Sequence, residues 1–295
     1  MVKITVTVWL ILLAAPVFPA TAKTVGVPFT TNPDGLVMLA VNLGQGVHAQ
    51  VIFDTGAGLD VFAPSIVQKL HGKPAGQFTG FRENGERIDL PLYIIPELEV
   101  GPVSKKNALV GTWTVFDDLH LDGIISVNDF RQQPFTFDFV NKTLFFESNT
   151  SLAHRHAIGF SSPLQFDDER GISLDLYSQF LIGDQLAQCG LDTGSPSLII
   201  STRYMDPLGI NKDDKKVIKH ESKNLAGVAI VRYDAYVPRI ALAAAPQIKQ
   251  SNAEASFSDI IYDCEVGIGF WSGKALTIDI PHRQLIVGNP ASARK

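Results

Sequence analysis

Short apolar runs alternate with polar residues along the whole chain, and Gly, Pro, Asn or Asp closes almost every run. Runs of this length, rich in β-branched and aromatic residues, predict strands rather than helices. The alternation is regular from Gly35 to Asn42, turns through Leu43-Gly44-Gln45-Gly46, and resumes from His48 to Phe53. That pattern predicts a hairpin whose second strand delivers Asp54 at its end. Val25, Val27 and Phe29 alternate in the same way, so the segment from Lys23 to Asp34 reads as a first strand rather than a short pro-peptide. Asn84-Gly85, followed by alternating Ile88, Leu90 and Leu92, marks a tight hairpin over Phe78 to Leu92. Brief helices are predicted only over Ser65 to Leu70, after Pro64, and around Val127 to Gln132.

The pattern repeats itself. Val51-Ile52-Phe53-Asp54-Thr55-Gly56-Ala57 returns 138 positions later as Cys189-Gly190-Leu191-Asp192-Thr193-Gly194-Ser195. Each copy places one carboxylate on a Thr-Gly turn after an apolar run. At an offset of 141, Asp122-Gly123-Ile124-Ile125-Ser126 matches Asp263-Cys264-Glu265-Val266-Gly267, and Phe135 to Phe139 matches Leu276 to Ile280. Leu144-Phe145-Phe146 and Leu285-Ile286-Val287 continue the match, and Tyr93 to Val100 resembles Tyr236 to Leu242. Two homologous lobes explain this: residues 23–147 with the first Asp and residues 152–289 with the second, joined by the polar stretch Ser148-Asn149-Thr150-Ser151, with a tail at 290–295. His154-Arg155-His156 reads as part of the linker, since no further ligands suitable for a metal stand near it.

Residues 1–22 read as a removable leader, with Lys3, an apolar stretch from Ile4 to Phe18 and the small-residue end Ala20-Thr21-Ala22. No later segment is long and apolar enough to span a bilayer as a helix. The mature chain is therefore expected to be secreted or periplasmic, without stable membrane insertion. Losing Lys3 takes the 25 basic residues to 24 against 30 acidic ones, a formal charge of −6, which does not suit a nucleic-acid partner. The two cysteines lack metal-site spacing. Asn141-Lys142-Thr143 and Asn149-Thr150-Ser151 are glycosylation sequons, meaningful only in a host that glycosylates.

With these phrases in hand, the chain resembles the aspartic peptidases, and more closely their bacterial retropepsin-like branch than the large pepsins. The resemblance covers nearly all of the mature sequence. It implies an all-β fold of two homologous lobes related by a pseudo-two-fold axis, with few short helices, one Asp from each lobe meeting on the floor of a cleft. The implied activity is hydrolysis of peptide bonds by a water held between Asp54 and Asp192, with no metal and no cofactor. Two carboxylates about 3 Å apart share one proton, so one serves as base and the other as acid. The expected partner is an extended peptide or unfolded protein, with apolar residues on both sides of the cut bond, bound by a monomer that is an internal pseudo-dimer.

Around the Asp pair, Gly56 and Gly194 are expected to admit close backbone approach, and Thr55 and Thr193 to hydrogen-bond across the lobe interface. Ala57 and Ser195 differ between the copies. A hydroxyl at Ser195 able to donate to its own carboxylate predicts that Asp192 ionises more readily and that Asp54 carries the shared proton. The Asn84-Gly85 hairpin corresponds to the family's flap. Its counterpart near Asn224-Leu225-Ala226-Gly227 is less legible, which favours closure by one dominant flap.

Cys189 aligns with Val51 and Cys264 with Gly123. If those strands are neighbours, an exported protein would close a disulfide there, the alternative being two buried thiols. Ser126 stands where the second lobe has Gly267, and Glu265 where the first has Ile124; Glu265 is expected at an edge or facing solvent. Two other readings remain: a catalytically silent peptide-binding module with the same two lobes, and a structural element of an envelope complex.

Overall fold

The computed structural model describes residues 23–223 and 227–289. The leader and the tail at 290–295 lie outside the described residues, as do Asn224, Leu225 and Ala226 of the second flap position. The protein is mostly β, with few short helices, and has two lobes of the same strand order.

The first lobe's eight-stranded sheet runs, edge to edge, through Thr30–Thr31, Val37–Asn42, His48–Phe53, Gly123–Ile125, Val61–Phe62, Val103–Thr112, Arg87–Val100 and Lys73–Phe81. The second lobe repeats this order with Gln165–Glu169, Ser173–Ile182, Gln185–Asp192, Cys264–Gly267, Leu198–Ser201, Ala245–Ser258, Ala229–Leu242 and Ile218–Lys223. In each lobe the strand ending in the Asp turn pairs in parallel with the backing strand, Ile52 beside Ile124 and Gly190 beside Glu265. A strand ladder on both sides fixes the height and direction at which each turn leaves the sheet.

A third, six-stranded sheet ties the halves together, in the order Val25–Pro28, Thr143–Phe146, Phe135–Asp138, Ala275–Asp279, Gln284–Gly288, Phe160–Pro163. At its centre Phe135–Asp138 and Ala275–Asp279 run antiparallel, and Thr136 stands opposite Thr277 with their hydroxyls 2.7 Å apart. The pseudo-two-fold axis passes through this pair. Beneath the first turn, the Phe53 ring packs on Phe130, Phe135 and Phe137 at centroid separations of 5.1, 5.4 and 5.0 Å. All four rings are fully or almost fully buried, so the residue preceding Asp54 is clamped by aromatic packing.

Three local expectations are revised. The polar stretch 148–151 opens a helix: Ser148 caps Asn149–Ile158, accepting from the Ser151 N–H at 3.2 Å while its own N–H donates to Ser151 Oγ at 2.9 Å. Reciprocal hydroxyl capping is what lets so polar a run start a helix. His154, Arg155 and His156 therefore ride on that helix, where Arg155 pairs with the buried Glu147 at 3.0 Å and His156 lies 3.5 Å from Asp279. Thirdly, Val127 to Gln132 narrows to a single 3₁₀ turn, Asn128–Phe130, whereas the earlier helix forms over Pro64–Lys69.

Cys189 and Cys264 are register partners on adjacent strands, Cα atoms 4.6 Å apart, and are joined by a disulfide. The bridge spans 75 residues of sequence; in chain-entropy terms a loop of that size stabilises the folded state by about 4 kcal/mol. The first lobe, with Val51 and Gly123 at these places, has no room for a second one: a Cβ on Gly123 would stand 2.5 Å from the Val61 carbonyl oxygen. No helix among the described residues is long and apolar enough to cross a membrane.

Candidate active site

Each turn that follows an apolar strand presents its carboxyl inward, and the structure brings Asp54 and Asp192 together, hydrogen-bonded to one another. The two glycines make this possible in a crosswise manner. A Cβ on Gly56 would lie 2.8 Å from Asp192 Cγ, and one on Gly194 would lie 2.3 Å from Asp54 Cγ. Each lobe's glycine thus vacates the space taken by the other lobe's carboxyl. Thr55 and Thr193, both buried, interlock the turns: Thr55 Oγ1 donates to the Leu191 carbonyl at 2.6 Å and Thr193 Oγ1 to the Phe53 carbonyl at 2.7 Å. Each hydroxyl also accepts the other threonine's N–H, at 3.0 Å. Four buried hydrogen bonds across the interface leave the carboxyls little freedom to part.

The carboxyls differ in their surroundings. Asp54 Oδ1 accepts the N–H groups of Gly56 at 2.8 Å and Ala57 at 3.1 Å, whereas Asp192 Oδ1 accepts only that of Gly194, at 2.9 Å. Burial is the leading cause that lifts both above the ordinary carboxylate range. Asp192 is pushed further by the charges of Asp54 and Glu265, while Asp54 is held back by the hydrogen bond from Asp192 and by backbone N–H groups. With two N–H donors on Asp54 against one on Asp192, the hydrogen bonding favours the shared proton on Asp192, opposite in sense to the expectation from Ser195. The Ser195 hydroxyl is engaged elsewhere, accepting the Ser197 N–H at 3.3 Å and facing the Ser197 carbonyl at 3.4 Å. Its side chain closes its own turn instead of reaching the carboxylate.

The difference between Ser126 and Gly267 has a steric origin. A Cβ on Gly267 would fall 2.2 Å from the Ser197 carbonyl oxygen, whereas Ser126 has space, its N–H donating to the buried Asp60 at 2.7 Å and its hydroxyl accepting from Asn128 at 3.2 Å. Glu265 is not at an edge. It lies in a central strand and lines the cavity together with the Asp pair.

That cavity, of about 990 Å³, runs between the lobes, a size at the upper end of the range for small-ligand clefts. The hairpin of Lys73–Phe81 and Arg87–Val100 covers it, with Phe78, Ile88 and Leu90 facing inward. Arg82 N–H to Glu86 carbonyl (2.8 Å) and Gly85 N–H to Arg82 carbonyl (2.9 Å) close the tip, Gly85 at φ 78°. Asn84 Oδ1 accepts the Glu86 N–H at 3.0 Å. The tip touches the opposite lobe: the Ile261 N–H donates to the Glu83 carbonyl at 2.8 Å. The second lobe has the corresponding hairpin, Ile218–Lys223 with Ala229–Leu242, so the framework for a flap exists on both sides.

Carboxyl burial has a consequence for stability. Asp175, on the cavity wall, is pushed up to about 6, first by desolvation and then by Asp167 and Glu169; Glu265 is pushed up to about 8 by desolvation, then Glu83 and Asp54. A carboxyl whose pKa is higher when folded favours the folded state while protonated and loses that contribution as pH rises through the folded value. Thermal stability is therefore expected to be greatest at about pH 4 and to decline from there up to about pH 8. Asp89, Asp168, Glu97 and Glu221, lowered by hydrogen bonds to Thr79, Arg131, Lys106 and Lys219 respectively, act in the opposite sense but are exposed and lose their effect only below about pH 4. A melting temperature that rises steadily from pH 5 to 8 would contradict this.

Two β lobes in pseudo-symmetric repeat, a shared sheet beneath them and a cleft between them define a pepsin-like fold. No protein-family profile and no curated protein sequence matches the chain. Among solved structures it is similar to Basic 7S globulin from soybean, with a TM-score of 0.54 over 90% of this chain and 94% of that one. At 9% identity the likeness is one of fold.

Proposed function

We propose that the protein is an aspartic-type endopeptidase of the two-lobed kind. The observation that carries this reading is the pair of hydrogen-bonded carboxyls, Asp54 and Asp192, on the floor of a cleft large enough for several peptide residues. A water held by both would lose a proton to Asp54 as its oxygen attacks the peptide carbonyl carbon, while Asp192 gives its proton to the carbonyl oxygen. The tetrahedral diol then collapses as the proton on Asp54 passes to the departing nitrogen and one diol hydroxyl returns its proton to Asp192, which restores the starting pair with no covalent intermediate. The scheme uses no metal and no cofactor. An extended peptide suits the cleft, since the overlying hairpin offers main-chain groups and alternating side chains would enter opposite walls.

Residence in an oxidising compartment is supported by the Cys189–Cys264 bridge and by the leader-like first 22 residues; kinship with the bacterial retropepsin-like branch rests on the sequence phrases. The lobe bounds 23–147 and 152–289 belong to the same proposal, with a monomer as the active unit.

Incubating the purified chain with a reduced, unfolded protein between about pH 3 and 8, and separating the fragments, tests the reading. Cleavage with a maximum on the acid side is expected. Peptide binding with no cleavage at any pH would make the protein a silent binding module instead.

A further inference from the structure

The two sides of the cleft floor are chemically unlike. In the first lobe, Ile52 and Ile124 are register partners on parallel strands, and both line the cavity. Their counterparts in the second lobe are Gly190 and Glu265, again register partners. These two line a small recess beside Asp192, and Glu265 faces the main cavity as well. Where the first lobe fills the floor with an isoleucine, Gly190 leaves it open: even a Cβ there would sit 3.7 Å from Glu265 Cγ, at ordinary contact distance. Asp175 comes to the same recess from Ser173–Ile182, and Tyr177 and Tyr262, ring centroids 6.0 Å apart, complete its wall.

The side-chain carboxyls of Glu265 and Asp175 make no hydrogen bond or ion pair among the described residues. The other groups whose charge acts on Glu265 are Glu83 of the overlying hairpin and Asp54, both acidic, with Asp192 and Tyr262 acting alongside. Among the described residues Arg232 is the cation whose charge acts on Glu265; it forms no ion pair with it, and the Arg232 Nε is itself without a partner. A half-buried carboxyl with no ion-pair partner is costly unless it is neutralised. In a ligand cleft that cost is offset when the ligand brings the positive charge.

We propose that Glu265, backed by Asp175, forms a cation-accepting subsite beside Asp192, where the recess of about 20 Å³ meets the main cavity that both carboxyls line, and that it takes the charged end of the Lys or Arg side chain of the substrate residue on one side of the cut bond. The Ile52 and Ile124 wall takes an apolar side chain on the other side. The proposal rests on the peptidase reading and replaces the expectation of apolar residues on both sides. Burial and the surrounding acids, which push Glu265 up to about 8, are what an ammonium or guanidinium would reverse on binding.

Matched peptides carrying Lys or its uncharged isostere norleucine at each of the two positions flanking the cut bond provide the test. At one of those positions the parent enzyme is expected to favour Lys over norleucine in kcat/KM by about tenfold or more, the worth of one charge-assisted contact. Glu265→Gln should bring that ratio close to one, and Asp175→Asn should reduce it part of the way; taking a ratio cancels any change in overall activity or in the amount of folded enzyme. No preference for Lys in the parent, or a preference that survives Glu265→Gln, overturns the proposal. If the parent cleaves none of the peptides, the peptidase reading has failed on its own account. Fluorescence-polarisation affinities of the same peptides for the Asp54→Asn chain, with and without Glu265→Gln, then decide whether the recess selects cations.

Discussion

Asp54→Asn is expected to lower kcat for an unfolded-protein substrate by about a thousandfold or more, while the protein stays folded. Asp54 is the member of the pair with the richer set of N–H donors, two from its own turn, and on the proposed scheme it is the base that takes the proton from water. An amide there keeps the shape and some of the hydrogen bonds but takes no proton from water. Stability should move the other way. The parent holds two half-buried carboxyls in mutual contact, and desolvation lifts both; removing one relieves that repulsion at neutral pH. Rate and melting temperature measured on one preparation check both halves. Parent-like activity would end the case for hydrolysis by this pair, and a large drop in melting temperature would show that the carboxylate serves the fold.

The second large effect is expected at Thr193. Its hydroxyl donates to the Phe53 carbonyl and accepts the Thr55 N–H, both buried and both in the other lobe. Thr193→Val is nearly isosteric, yet it leaves a carbonyl and an N–H without partners, at about 1–3 kcal/mol for each. Because Phe53 immediately precedes Asp54, the strain falls on the reacting carboxyl itself, and kcat should drop with the melting temperature. Thr193→Ser retains the hydroxyl and should recover most of both. Denaturant unfolding and initial rates on the three chains separate the hydroxyl's contribution from the methyl's. Equal behaviour of the Val and Ser variants would refute the interlock.

Much of this organisation was legible because it repeats: a strand that ends in Asp-Thr-Gly, a backing strand and a closing strand, all at nearly constant spacing, leave few alternatives to two like lobes. The bonds between the lobes were less legible. That Gly194 makes room for Asp54, and not for its own neighbour, depends on how two surfaces meet. Ser195 misled for a similar reason, since the turn it sits in consumes its hydroxyl. Ser148 to Ser151 looked like a linker because serine-rich runs usually are, and only the reciprocal capping reveals the helix. Glu265 did carry a readable signal. Cys264 points into the core beside Cys189, so its neighbour must face the opposite side of the strand, the side that Gly190 shares.

The hairpin tip rests on the far lobe through the Ile261 amide and the Glu83 carbonyl, with Gly85 against the Ile261 side chain. A latch of one exposed main-chain bond is worth about 1 kcal/mol. On the peptidase reading, so weak a latch would let a long polypeptide enter without any large rearrangement of either half. The same bond, remade over a seated chain, would hold the reacting segment down without hindering its departure once it is cut.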